Sequence, residues 1–212
     1  MINLVGIGTG GSSKVIYDVI NQYKDQYKIV GWFGDDLQKI GTTHLGIPKL
    51  DKIKSISSHK QKFDKAFISI GAVKNTIARN KIFNFLKNID ISLHNVISKN
   101  SIISPSVKIK EGCIILDGVI INSHTVISKN NFLNTGCVIE HDCILEDSCF
   151  ISPNATLCGN VTIKNNSFIG ANSVILGNTT VNKHCVIGAG CVLLNNTPPN
   201  TTFVGNPGKL LE

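Results

Sequence analysis

The sequence predicts two joined folds: a small α/β domain with a parallel sheet over residues 1–96, then an all-β coil of short parallel strands with a C-terminal tail over residues 97–212. Three observations carry this. A strand-like run, a glycine turn and an amphipathic helix open the chain. Large aliphatic residues then recur every six positions from Ile97 to Leu193 without a break. Charge divides at the same place: of a formal net charge of +7, residues 1–100 carry 15 Lys/Arg against 7 Asp/Glu, and residues 101–212 carry 6 against 7.

In chain order, residues 2–8 read as a buried strand, 8–11 as a glycine turn, and 12–23 as a helix with Val15, Ile16, Val19 and Ile20 on its apolar face. Further strands are expected at residues 27–33, 63–70 and 91–97, with a helix at 75–86 between the last two. This alternation implies a Rossmann-like parallel sheet. Gly6, Gly8 and Gly11 satisfy G-x-G-x-x-G, and Asp35 and Asp36 follow the second strand, where a ribose-binding acid would stand. Glycines admit a phosphate or sugar to the backbone at a helix N-terminus, whose amides favour anions. A dinucleotide such as NAD and a purely structural glycine turn are the other readings of this segment. The surplus of lysines would suit an anionic ligand, but lysines on solvated helix faces are its plainer reading.

From Ile97 to Leu193, all 17 positions at a step of six are Ile, Leu or Val. Four residues after each from Ile103 onward comes a small or β-branched residue, such as Val107, Cys113, Val119, Ala155 or Ser167; Asn131 is the exception. A period of six is neither helical nor simple alternation. It suits a short strand plus a corner, three of which close a triangular coil of five to six turns. Six of the seven cysteines occupy the small-residue phase, Cys158 alone standing outside it, so they read as compact apolar fillers. There is no C-x-x-C pair, and the hexad histidines are never closer than 17 positions, so neither disulfides nor a metal are expected.

A hydrophobic content of 42% with 17% charged residues describes a globular chain. The longest apolar runs fall far short of the roughly 18 residues of a membrane span. The N-terminus has no basic region or small-residue cleavage site, so a cytoplasmic protein is expected. No nucleic-acid-binding motif is present.

Of the histidines His44, His59, His94, His124, His141 and His184, the last three fall at corners of the hexads. His141 stands between Glu140 and Asp142 in NTGCVIEHDC. A carboxylate bonded to one ring nitrogen would hold the tautomer and raise the basicity of the other, while a solvated corner histidine is the plain alternative.

The hexads resemble the hexapeptide-repeat acyltransferases, which are left-handed parallel β-helices, and the tail TTFVGNPGKLLE resembles that family's closing segment. Joined to the N-terminal half, the chain closely resembles the bacterial sugar-nucleotide N-acetyltransferases of the bacillosamine pathway and the related sialic acid O-acetyltransferases. The resemblance implies an acetyl-CoA-dependent N-acetyltransferase of a nucleotide-linked amino sugar, working as a homotrimer. It implies His141 as catalytic base, Asp142 as its orienting acid, and Asn134 as a substrate or His141 contact. It also implies sugar-nucleotide binding by Gly10, Gly11 and Ser12 of GTGGSS, Asp35 and Asp36 of WFGDD, and Gly71 of ISIGA. The resemblance further implies coenzyme contacts at Gly159, Ala171 and Ala189, and at Phe150, which stands where some members carry a histidine. O-acetylation of a sialic acid, N-acetylation of GDP-perosamine, and a non-catalytic nucleotide-binding scaffold trimer are the alternatives.

Overall fold

The computed structural model describes residues 1–35, 41–72 and 76–211. Its N-terminal part is built from β1 (Ile2–Ile7), α1 (Gly11–Asn21), β2 (Tyr27–Phe33), β3 (Thr43–His44), β4 (Ile47–Asp51), a 3-10 helix (Ile53–Lys62), β5 (Lys65–Ile68) and α2 (Ile77–Asn88). The sheet runs β3-β4-β2-β1-β5, with every pair parallel except the β3–β4 hairpin. Strand order reverses between β1 and β5, and open parallel sheets bind ligands at the carboxyl ends of such a switch point.

Three local expectations are corrected. The apolar face of α1 is Ile16, Val19 and Ile20, while Val15 is exposed. Residues 91–97 add no further strand to this sheet, because Leu93 makes only a single bridge to Ala66 and Val96–Ile97 already belongs to the coil. Ile91 and Leu93 owe their apolar alternation to packing against Ile68, Phe83 and Leu86. The β3–β4 hairpin is an addition to the expected elements: its two-residue turn is Leu45–Gly46, at φ 53° and 74°, and a leucine in that position lacks the usual Asn or Asp signal. The expected helix at 75–86 is found as α2, Asn75 itself lying outside the described residues.

The second part is a left-handed parallel β-helix of two-residue strands, from β6 (Val96–Ile97) to β22 (Val192–Leu193). Each strand pairs in parallel with the one 18 residues on, as in Ile121↔Ile139 and Ile139↔Leu157, so one coil is three hexads. The hexad aliphatics from Ile115 to Leu193 fill the prism at no more than 1% exposure. Burying each is worth about 1.5–3 kcal/mol, and repetition makes the sum the main stabilising term of this half. A further position, three residues before each aliphatic, turns the corner in left-handed conformation, from Gly112 through Asn154 to Gly190, with φ between 55° and 74°. Gly, Asn, Asp, His or Ser occupies it because larger and β-branched residues are strained there. All seven cysteines are free and six are buried. Burial pushes the Cys113, Cys137 and Cys149 thiols up to about 12, leaving them neutral fillers.

The coil's three outward columns differ. Val96, Ile114, Phe132 and Phe150 are buried under Leu4, Ile16, Val19 and Trp32, and the rings of Phe132, Phe150 and Phe168 stack at 4.8 Å and 5.4 Å. Gln22 donates to Asp117 (3.0 Å) and Lys87 pairs with Glu111 (2.9 Å) across the same junction. The next face carries Ile102, Ile120, Val138, Thr156, Val174 and Val192, half-buried apart from the exposed Ile102.

One junction residue makes an acid prediction. Burial, then the nearby Lys65 charge, lowers the His94 pKa to about 4, so the folded protein holds this ring neutral. The unfolded chain takes up a proton near pH 6.5 and the folded one near 4, so stability is lost as pH falls through that window. His94→Phe is expected to flatten the decline in melting temperature between about pH 6.5 and 4. An unchanged slope would refute the assignment.

Candidate active site

Two clusters stand at opposite edges of the Ile102–Val192 face. At one edge, the strand Val138–Ile139 runs into a corner whose left-handed residue is Asp142 (φ 58°). That bend returns the carboxylate to its neighbour, and Asp142 Oδ2 lies 2.8 Å from His141 Nδ1 with both side chains exposed. With Nδ1–H donating to the carboxylate, Nε2 is the free acceptor, which is the tautomer a base needs. Glu140 takes no part, since its carboxylate accepts from Asn122 Nδ2 at 2.8 Å.

The corner one coil further on is Gly159, and the His141 ring lies against it. A Cβ there would stand 2.6 Å from both Nε2 and Cε1. Gly177 continues the gap, its own Cβ position lying 3.1 Å from the Gly159 carbonyl oxygen. The imidazole therefore faces a strip of bare backbone. Gly159→Ala is expected to keep the fold but swing the ring, lowering kcat more than about tenfold, in line with the sensitivity of catalysis to displacements of about 1 Å. Steady-state kinetics with a wild-type kcat would show that the ring needs no such seat.

At the other edge lies a cavity of about 580 Å³ between the glycine turn and the coil. Gly10, Gly11, Ser12 and Gly71 border it from the first domain. Asn134, Phe150, Ala171 and Ala189 border it from the coil. The motif glycines divide their work. Gly6 packs beneath Trp32, where a Cβ would collide with the ring, and Gly8 turns the chain at φ 101°. Gly10 and Gly11 face open space. No side chain caps α1, so its first amides are available to an anion. Gly71 is small because the Ser12 hydroxyl sits 2.5 Å from where its Cβ would be.

The structure thus brings four predicted substrate residues together with Asn134 and three predicted coenzyme residues, and brings Gly159 to His141 instead. Asn134 bonds the Thr135 amide (2.8 Å) and not His141. The Asp35 carboxylate accepts from the Ile53 amide (3.2 Å) and borders a separate cleft with Lys54 and Lys81. Asp36 lies outside the described residues. Phe150 is 4% exposed within the ring stack. Thr9, Ser69 and Phe168 line the cavity in addition to the predicted set. Ser and Thr beside a glycine turn carry no periodic signal, and Phe168 is legible in the sequence only as a member of the outward column. His124 and His184 occupy left-handed corner positions. Among the described residues no group of three or more His, Cys, Asp or Glu could hold a metal ion.

A parallel β-helix with a histidine–carboxylate pair on a bare corner, joined to a switch-point cavity, defines a hexapeptide-repeat acyltransferase. Residues 3–86 match the family model of the PglD N-terminal domain, and residues 124–159 and 160–195 match that of the bacterial transferase hexapeptide (six repeats). The chain thus joins a PglD-type N-terminal domain to a bacterial transferase hexapeptide domain.

Solved structures agree over the full length. GDP-perosamine N-acetyltransferase from Caulobacter crescentus, in complex with CoA and GDP-perosamine, is 26% identical with a TM-score of 0.91, covering 99% of this chain and 97% of that one. It is also known with one histidine replaced by alanine. The acetyltransferase domain of PglB from Neisseria gonorrhoeae FA1090, in complex with acetyl coenzyme A, is 27% identical with a TM-score of 0.90, covering 99% and 98%. WeeI from Acinetobacter baumannii AYE is 26% identical with a TM-score of 0.86, covering 99% and 100%. No curated protein matches the chain.

Proposed function

We propose that this protein is an acetyl-CoA-dependent N-acetyltransferase acting on the amino group of a nucleotide-linked amino sugar, a UDP-4-amino sugar foremost, in bacterial glycan biosynthesis. The observation that carries this is the Asp142–His141 pair seated on Gly159, a base whose free nitrogen faces bare backbone. Acetyl-CoA fits this setting, because Gly159 and Gly177 leave a side-chain-free strip beside the imidazole. It supplies the thioester whose acetyl group is transferred.

His141 Nε2 takes the proton from the attacking amine, and Asp142 stabilises the imidazolium that results. Gly10, Gly11 and Ser12 present α1 amides to the nucleotide's phosphates. Gly71 and Asn134 shape the sugar end, and Phe150, Ala171 and Ala189 form the apolar wall toward the coenzyme. No covalent enzyme intermediate is required.

The two clusters lie on different corners, and the apolar face between them supports a homotrimer in which one copy's cavity edge meets another's His141. Burial of Ile102, Val138 and Val174 between copies would drive the association. Among the described residues no helix is long and apolar enough to cross a membrane.

A GDP-linked amino sugar is the second reading, favoured by the Caulobacter relative with GDP-perosamine. CoA thiol release from acetyl-CoA, with a UDP-4-amino sugar, a GDP-4-amino sugar and a sialic acid offered in parallel, tests both. Turnover with one amino-sugar nucleotide and a hydroxylamine-stable product is expected. Silence with all three would overturn the reading.

A further inference from the structure

The β4 residue Lys49 is 3% exposed, and its Nζ has no hydrogen-bond or ion-pair partner among the described residues. This is the wrong residue for a sheet interior unless something else supplies the acceptor. Lys49 pairs in register with Trp32, so it points to the face of the sheet that α1 covers, where its strand neighbour on that face, Ile47, packs into the apolar cluster. An apolar residue would serve the sheet there. Leaving an amino group buried without an acceptor is costly, and such a penalty persists when it is offset by function.

The direction of the side chain shows what it serves. Its Cε lies 3.9 Å from where a Cβ on Gly34 would stand, and Thr9 Oγ1 lies 3.4 Å from the same point. Gly34 follows the carboxyl end of β2, and Thr9 belongs to the glycine turn and lines the cavity. The lysine therefore reaches toward the uncapped N-terminus of α1, adding three N–H donors where backbone amides already gather. Gly34 leaves the space between them free of a side chain.

We propose that Lys49 is a binding residue for the nucleotide, its amino group donating to a phosphate oxygen of a nucleoside diphosphate seated at the N-terminus of α1. This rests on the sugar-nucleotide reading of the cavity and goes beyond it, because Lys49 lies on a hairpin strand outside the glycine motif. Its role is to raise affinity for the diphosphate-bearing substrate without touching the acetyl donor.

Calorimetric titration of the wild type and of Lys49→Met with UDP, GDP, CDP and acetyl-CoA tests this. Methionine keeps the straight chain and removes only the donors, so the melting temperature is expected to hold or rise. The diphosphate that binds the wild type is expected to bind Lys49→Met at least about tenfold more weakly, the scale of losing a hydrogen bond to a charged group, with acetyl-CoA affinity unchanged. Equal diphosphate affinity in the two proteins would overturn the proposal, as would a parallel loss of acetyl-CoA affinity and melting temperature, which marks a structural role. A wild type that binds none of the three diphosphates would instead overturn the sugar-nucleotide reading, and the role of Lys49 with it.

Discussion

His141→Ala is expected to lower kcat by about 10²–10⁴, the range a positioned general base contributes, while leaving the fold and acetyl-CoA affinity intact. The side chain is exposed at a corner, so its removal opens no cavity. The backbone link that matters to the coil, Asn160 N–H to the His141 carbonyl at 2.9 Å, survives the change. A loss in kcat without a comparable rise in KM for acetyl-CoA would locate the effect in the proton transfer. Asp142→Asn should also lower kcat, because the ring loses the charge that stabilises the imidazolium and the acceptor that holds its tautomer. Single-turnover kinetics giving His141→Ala a rate near wild type would remove this residue as the base.

Arg79→Met is expected to cost about 3–5 kcal/mol, the scale of breaking a buried charged network, and to lower the melting temperature by about 10 °C for a chain of this size. The guanidinium on α2 is 1% exposed. It donates to the Ile68 and Ile70 carbonyls at the end of β5 (2.7 and 3.2 Å) and to the Gly112 and Asn130 carbonyls on two corners of the coil (3.0 and 3.3 Å). It also lies over the Phe132 ring at 5.4 Å. Burial lowers its pKa only to about 10, so it stays charged at neutral pH. Methionine fills the space but leaves all of these carbonyls without the donor, loosening the seam between the two halves. Calorimetric melts of the variant within about 2 °C of wild type, well inside the expected shift, would show that the coil and the α/β part do not depend on this clasp.

Most of the coil is legible in the order of its residues. The hexad specifies which side chain enters the prism at every step, because each rung repeats the same local geometry and needs no distant partner to define it. The corner phase that turns left-handed is also present in the sequence, as Gly, Asn, Asp, His or Ser from Gly112 to Gly190, and it explains why His124 and His184 stand where they do. In the first half, β1, α1 and β2 follow from strong local patterns. The β3–β4 hairpin does not, because Leu45 takes a positive φ that its side chain does not advertise. The apparent strand at 91–97 misleads because its apolar alternation serves packing against α2 rather than a place in the sheet.

The candidate site divides in the same way. The His141–Asp142 pair is formed by adjacent residues, so their contact is decided by the chain itself once the corner is recognised. The seat on Gly159, the use of Gly71 to admit the Ser12 hydroxyl, the turning of Asp35 toward the Ile53 amide and the approach of Lys49 to Gly34 beside Thr9 are not. Each depends on segments distant in the chain meeting at a particular separation, and no local propensity encodes a separation. The sequence by itself determined the repeat, its core and the chemical pair at its corner, because these are short-range and periodic. The tertiary structure alone decided which glycines make room for which side chains, because that follows from how coils stack and how the sheet docks on the phenylalanine ladder.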